Sequence, residues 1–187
     1  MIKDILVRSL ADLADVLPKL AKLEASLQRL GHAMLKCWQG RGKVLIAGNG
    51  GSAADAMHFA EELSVRFQKN RRALAAIALC DAPAITCAAN DFGYDQVFAR
   101  QIEALGNPGD VFVALSSSGN STSIVKAIEL ARNRQLVTAA FLGKDGGRSR
   151  GLCDIELVVP SPRTARVQEA HKLLYHVLCE WIDTKVE

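Results

Sequence analysis

The sequence predicts an α/β fold in which a parallel sheet lies between two layers of helices. From Lys43 onward, short apolar runs alternate with stretches of helical periodicity, which is typical of a parallel sheet covered on both faces. The chain has 187 residues, and 49% of them are hydrophobic, which suffices for one domain with a substantial core. We therefore expect one domain, with helices over residues 1–40 and the α/β core over residues 41–187.

The N-terminal region is predicted to be helical over residues 3–39, with a break near Pro18. Its apolar positions recur at spacings of three and four, which places them on one helical face. They are Leu20, Leu23, Leu27, Leu30 and Met34. This stripe packs against the core of its own chain, or it also packs against a second subunit, and the spacing alone does not separate the two.

The core contains five predicted strands and five predicted helices. The strands are 43–47, 75–79, 111–115, 138–142 and 154–159. The helices are 52–67, 83–90, 94–105, 121–134 and 164–184. Two polar stretches, 69–72 and 144–148, are predicted to be solvent-exposed connections. Because ligands of such sheets bind beyond the carboxyl ends of the strands, the loops that follow the strands are the expected binding region.

The composition narrows the functional classes. The chain has 23 basic and 20 acidic residues and no long basic run, so nothing indicates nucleic-acid binding. Five cysteines, an odd number without a Cys-x-x-Cys pair, are expected to be reduced and buried. They are Cys37, Cys80, Cys87, Cys153 and Cys179. No apolar stretch predicts a signal peptide or a membrane span, so we expect a cytoplasmic protein with no membrane partner.

The first predicted core strand leads into a glycine-rich loop, Gly48-Asn49-Gly50-Gly51-Ser52. Such a loop before a helix can bring backbone amides close to an anion. It is not the dinucleotide fingerprint, because the third glycine is misplaced and Asp81 is the nearest candidate for a ribose-binding acid. It is not a Walker loop either, so we expect no nucleotide cofactor. A tight structural turn explains this loop about as well as ligand binding does.

The third predicted strand leads into a serine-rich loop, 116–121, with the sequence SSSGNS. Ser116, Ser117, Ser118 and Ser121 can surround a phosphate with hydroxyl and amide donors. Ser121 by itself could be only a helix N-cap, but a cap does not explain the whole cluster. The two loops together predict a pocket for a phosphorylated molecule that is rich in hydroxyls.

Five further polar positions are considered for chemistry. His58 and Glu62 are four residues apart, so they share a helical face and can hold a metal ion or transfer a proton. A surface pair without function is the alternative. His176 on the C-terminal helix and His32 on the leucine-rich helix are each explained as ordinary structural histidines. Asp91 either binds sugar hydroxyls or caps the next helix.

Taken in order, these segments resemble the phosphoheptose isomerases (sedoheptulose 7-phosphate isomerases), a family of SIS domain proteins. The similar stretches are GNGGSAADAMHFAEEL from Gly48, AANDFGYDQVFARQIEALG from Ala88, GDVFVALSSSGNSTSIVKAIE from Gly109 and TARVQEAHKLLYHVLCEWID from Thr164. The resemblance extends over nearly the whole chain. It implies a Rossmann-like three-layer sandwich of the SIS type, with a five-stranded parallel sheet and an N-terminal helical extension.

The resemblance also implies roles for individual residues. Glu62 and His176 match the acid–base pair of the family. A zinc site matches His58, Glu62, Gln168 and His176. Substrate-binding positions match Asn49, Gly50, Gly51, Ser52, Glu62, Asn90, Asp91, Ser116, Ser117, Ser118, Ser121 and Gln168. Where some members have an aspartate three residues before the motif glutamine, this chain has Ala165.

The implied activity converts sedoheptulose 7-phosphate to D-glycero-D-manno-heptose 7-phosphate through an enediol, for heptose in lipopolysaccharide or other surface glycans. The family forms homotetramers with active sites at subunit interfaces. Two alternatives stay open. One is a non-catalytic SIS protein that binds the bacterial replication initiator, although such proteins lack the Glu and His that this chain has. The other is an isomerase or sensor of a different phosphosugar.

Overall fold

A five-stranded parallel sheet forms the centre of the molecule in the computed structural model, which describes all 187 residues. The strands are β1 (Val44–Gly48), β2 (Ala76–Ala78), β3 (Val111–Ser116), β4 (Val137–Gly143) and β5 (Ile155–Val159). Their order in the sheet is β2-β1-β3-β4-β5, and every pair is parallel. The predicted fold class is confirmed.

Seven α-helices surround or extend the sheet. They are α1 (Ile2–Val16), α2 (Glu24–Gln39), α3 (Gly51–Ser64), α4 (Ala82–Phe92), α5 (Val97–Leu105), α6 (Thr122–Asn133) and α7 (Thr164–Asp183). The predicted break near Pro18 is a 3-10 segment, Leu17–Leu23. Two predicted ends were wrong: α3 ends at Ser64 rather than at 67, and the helix expected from 94 begins with a 3-10 turn, Tyr94–Gln96.

The two faces of the sheet are covered by different helices. Alternate side chains of a strand point to opposite faces, so Ile46 packs with α2, α3 and α7, whereas Leu45 packs with α5 and α6. The chain leaves β1 toward α3 on the first face and leaves neighbouring β3 toward α6 on the second. This reversal opens a crevice between the two loops, which is where sheets of this kind bind ligands.

The leucine stripe packs mainly within its own chain. Leu20, Leu30 and Met34 are buried in the core, while Leu23 and Leu27 are partly buried against it. The apolar side chains that remain exposed near the N-terminus lie on α1 instead. Most of the stripe therefore packs against the core of its own chain.

Two expectations about exposure were wrong. Arg71, in a stretch predicted to be solvent-exposed, is buried, because its guanidinium pairs with Asp183 at the end of α7. Cys87, expected to be buried, is exposed on α4, where its thiol lies beside Asp91. All five cysteines are free, as predicted. No helix combines the length and the hydropathy that crossing a membrane requires.

Candidate active site

The glycine-rich loop after β1 and the start of α7 are in direct contact. Gly51 begins α3, and a Cβ at this position would lie 2.5 Å from the Nε2 atom of Gln168. Only glycine therefore lets the Gln168 side chain lie against the loop. Ser52, in the first turn of α3, is buried. The structure thus places Gly50, Gly51, Ser52 and Gln168 together at the carboxyl end of the sheet.

The serine-rich loop after β3 is held mainly by its own hydrogen bonds. The Ser116 hydroxyl accepts from the amide of Gly119, and the Ser118 hydroxyl accepts from the amide of Asn120. Ser121 occupies the N-cap position of α6, but its hydroxyl makes no capping hydrogen bond. The first amides of a helix have no partner within the helix, so the start of α6 offers donors to an anion beside these hydroxyls.

Asn49 connects the two loops. Its Nδ2 atom donates to the hydroxyls of Ser121 at 2.8 Å and of Ser123 at 3.1 Å. Its Oδ1 atom accepts from the hydroxyl of Tyr94 at 2.7 Å. The residue predicted to bind substrate is therefore also the bridge across the crevice. Sequence reasoning missed Tyr94, and the only available signal was its place directly after Gly93, the residue that ends α4.

His58, Glu62 and His176, which the resemblance to the family named as zinc ligands, form one cluster. The Nε2 atom of His58 lies 2.9 Å from a carboxylate oxygen of Glu62, and the His58 and His176 rings are 5.2 Å apart between centroids. All three side chains are at least partly buried. The pairing of α3 with α7 supplies the third member, which the spacing of His58 and Glu62 could not reveal.

The electrostatics of the cluster favour a neutral His176. Burial lowers the pKa of the His176 imidazole, and the neighbouring His58 and Lys172 lower it further, against the opposing effect of Glu62 and Asp55. The buried Nε2 atom of His176 has no hydrogen-bond partner. A neutral imidazole with an unused nitrogen can accept a proton or bind a metal.

Three side chains that the sequence analysis did not name surround His58. The Nδ1 atom of His58 lies 3.2 Å from the Lys172 amine and 3.4 Å from the Tyr175 hydroxyl. Both groups also contact buried Asp55, at 3.3 Å and 3.4 Å respectively. Asp55, His58 and Glu62 share one face of α3, so helical spacing could have identified Asp55.

Three predicted positions lie apart from the cluster within this chain. Asn90 and Asp91 are exposed at the end of α4, where the Asn90 amide donates to the Asp91 carboxylate. Asp91 does not cap the next helix, so that alternative was wrong; the N-cap residue of α5 is Gln96. Gln168 lies beside Gly51, about two turns along α7 from His176.

The cluster fits a zinc ion. Two imidazoles and one carboxylate are typical zinc ligands, and one potential ligand atom from each residue lies within 4.8 Å of the others. The unused Nε2 atom of His176 supports the same assignment. Within one chain the set is His58, Glu62 and His176, while Gln168 lies beside Gly51, about two turns of α7 from His176.

Comparisons with known proteins show the family of this chain. The SIS domain family matches residues 10–143. A curated phosphoheptose isomerase from Helicobacter pylori is 44% identical over 98% of this chain and 96% of its own length. Among solved structures, the phosphoheptose isomerase from Neisseria gonorrhoeae is 39% identical with a TM-score of 0.92, covering 98% of this chain and 100% of that one.

A second solved structure, a phosphoheptose isomerase from Francisella tularensis, is 35% identical with a TM-score of 0.94 and covers 98% of this chain and 99% of that one. The similarity therefore extends over the whole molecule, including both loops, α3 and α7. The chain belongs to the phosphoheptose isomerases, a family of isomerase enzymes within the SIS domain proteins.

Proposed function

We propose that the protein converts sedoheptulose 7-phosphate to D-glycero-D-manno-heptose 7-phosphate. The observation that carries this proposal is the cluster of Glu62 and His176 on the same pair of helices that contacts the glycine-rich loop. His58 follows Gly51 by seven residues, about 10 Å along α3 at ~1.5 Å per residue. This span suits an open-chain sugar phosphate whose phosphate lies at the loops and whose first carbons lie near the cluster.

The phosphate end is assigned to the two loops. Ser116, Ser117, Ser118 and Ser121, with the amides at the start of α6, supply donors for the phosphoryl oxygens. Asn49, Gly50, Gly51, Ser52 and Gln168 line the neighbouring side of the crevice, where sugar hydroxyls need partners. Asn90 and Asp91 are further proposed contacts of the substrate. Binding energy at the distant phosphate positions the reacting carbons.

The reaction moves a proton between the first two carbons of the sugar. Glu62 is the proposed base that removes the carbon-bound proton, which produces an enediol. His176 is the proposed partner that moves the proton between the two oxygens, and its lowered pKa leaves it neutral and able to accept. Lys172 and Tyr175 hold His58 beside Glu62 and so restrict the orientation of the carboxylate.

A zinc ion held by His58, Glu62 and His176, and by Gln168 if a second subunit supplies it, would polarise the substrate carbonyl. A carboxylate bound to zinc is a weaker base. Glu62 would therefore act as the base when its carboxylate is free of the ion.

The proposed setting is a homotetramer in the cytoplasm, acting in heptose synthesis for lipopolysaccharide or another surface glycan. Exposed apolar side chains on α1 support association with further copies of the chain. Neither nucleic acid nor a membrane is a proposed partner. The presence of both Glu62 and His176 in one cluster favours the enzyme over a non-catalytic, initiator-binding SIS protein.

The direct test is turnover of sedoheptulose 7-phosphate in heavy water. The wild-type protein should introduce deuterium at the second carbon of the aldose product. Glu62→Gln and His176→Asn should each reduce exchange by about 10²–10⁴-fold, which is the usual contribution of a general acid–base group. Each variant should also lose affinity for zinc in a calorimetric titration.

The matched control is Glu61→Gln, which changes a neighbouring exposed carboxylate on α3 and should leave exchange unchanged. Wild-type turnover in Glu62→Gln or in His176→Asn would remove that residue from the mechanism. Turnover of a different phosphosugar, with none of sedoheptulose 7-phosphate, would favour the alternative substrate.

A further inference from the structure

A buried ion pair lies outside the candidate active site, at the far end of α3 and α7. The Nε atom of Arg71 donates to Asp183 at 2.8 Å, and the two side chains are only 1% and 2% exposed. Burying two charges is costly unless further hydrogen bonds satisfy them. The remaining partners of this pair therefore indicate what it does.

Arg71 binds the end of α3. Its Nη2 atom donates to the backbone carbonyl of Glu62 at 2.8 Å, and its Nη1 atom donates to the carbonyl of Leu63 at 3.0 Å. Because α3 ends at Ser64, these carbonyls lie in the last turn and lack partners within the helix. The guanidinium thus anchors the backbone of the residue that carries the proposed base.

Asp183 binds the chain that leaves α3. Its Oδ2 atom accepts from the amides of Gln68 and Lys69, each at 2.9 Å. Burial alone would raise the pKa of Asp183, but the two amides and the Arg71 guanidinium outweigh it and lower that pKa, so the carboxylate stays charged. Asp183 is the last residue of α7, about two turns beyond His176.

We infer that Arg71 and Asp183 are positioning residues that hold Glu62 on α3 at its working distance from His176 on α7. The inference rests on the proposed function, since it assumes that these two residues act on the substrate. The N–H groups of a planar guanidinium point in fixed directions. The Arg71 side chain therefore links the end of α3 to the end of α7 with little room for the two helices to move relative to each other. Small displacements of catalytic groups strongly reduce rates, which gives this linkage a functional consequence.

Two conservative variants test the inference. Arg71→Lys keeps the charge that pairs with Asp183 but loses the fork that reaches both α3 carbonyls. Asp183→Asn keeps the size of the side chain but loses the charge. Each should lower kcat by at least about tenfold and change KM by less than about twofold, because the phosphate loops are not altered.

A spectroscopic readout separates positioning from a general loss of stability. The chain has four histidines, so selective ¹³C labelling at Cε1 yields four resonances in the substrate-free protein. In both variants the His58 and His176 resonances should move, while that of buried His171, which bonds the Leu142 carbonyl, should not.

Lys43→Met is the matched control. It breaks a partly buried ion pair, Lys43 with Asp110 at 2.6 Å, at the amino end of β1 and away from the crevice. It should leave kcat and all four resonances unchanged. Wild-type kcat with unmoved His58 and His176 resonances in both test variants would overturn the inference, and so would an equal loss of kcat in Lys43→Met. The resonances are measured without substrate, so they test the positioning role directly. The activity of Glu62→Gln tests the proposed function, and a failure there would be recognised separately.

Discussion

At the scale of single residues, several side chains in or near the site make hydrogen bonds within the protein. Asn49 uses both atoms of its amide to hold Ser121, Ser123 and Tyr94. His171, three residues after Gln168, is fully buried and bonds the carbonyl of Leu142. Each of these roles predicts a measurable effect of substitution.

Asn49→Ala should raise KM by about tenfold. The loss of one or two hydrogen bonds between the loops costs about 1.4 kcal/mol, and this free energy corresponds to a tenfold change in affinity. Steady-state kinetics with sedoheptulose 7-phosphate would measure it. Tyr94→Phe removes only one of the three bonds and should change KM by less than about threefold. An equal effect of both variants would contradict the bridging role of Asn49.

His171 should make stability depend on pH. Burial lowers the pKa of its imidazole from 6.5 to about 4, despite the bond to Leu142. Between these values the unfolded chain binds a proton that the folded chain does not, so stability falls as the pH falls through this window. The loss should reach about 3 kcal/mol, at 1.36 kcal/mol for each pKa unit.

Urea denaturation at several pH values would measure this loss, and His171→Leu should remove it. His32→Leu, at an exposed position on α2, is the control and should keep the pH dependence of the wild type. Parallel stability curves for the wild type and His171→Leu would contradict the assignment.

At the scale of elements, the serine-rich loop packs against the loop that follows β4. Gly119 has a φ of +65°, and a Cβ there would lie 1.9 Å from the carbonyl oxygen of Gly146. The hydroxyl of buried Ser149 donates to the Gly119 carbonyl at 2.9 Å. The second loop therefore keeps its shape because a neighbouring loop supports it.

Gly119→Ala should destabilise the protein by more than about 2 kcal/mol, since it combines a strained backbone with a steric clash. Gly109→Ala is the matched control, because Gly109 also has a positive φ, +88°, but has no atom within 4 Å of the added Cβ. It should cost only about 1–2 kcal/mol from backbone strain. Chemical denaturation of both variants would compare them, and equal losses would exclude the clash.

At the scale of the whole molecule, α1 presents apolar side chains without a partner in its own chain. Ile2, Leu6 and Leu10 recur at a spacing of four, and Leu6 and Leu10 are 58% and 57% exposed. Val16 is the only buried residue of this helix. A further copy of the chain is the proposed cover for this face.

Leu6→Glu combined with Leu10→Glu should dissociate the proposed oligomer, because charges in an apolar interface lose their hydration without gaining a partner. Sedimentation velocity would measure the change in mass. Arg8→Glu, two residues from both Leu6 and Leu10 and therefore on the other side of α1, should leave the assembly intact. A wild-type protein that sediments as a monomer would refute the proposed oligomer.

Most of the fold could be predicted from the sequence, because its signals are local. Alternation of apolar runs with helical periodicity identified all five strands, and Pro18 marked the break between α1 and α2. The resemblance to the family then pointed to Glu62 and His176, which residue patterns alone would have treated as ordinary. The end of α3 and the start of α5 were less predictable, because the last turns of a helix depend on contacts with the rest of the protein.

The sequence by itself determined the strands, the helices and the two polar loops, since each follows from neighbours along the chain, and its resemblance to the family named the candidate reactive side chains. Only the tertiary structure decided which of these side chains meet. It joined His176 to His58 and Glu62, used Asn49 as a bridge and buried Arg71 against Asp183. The physical reason is that these contacts join distant segments whose packing no local pattern encodes.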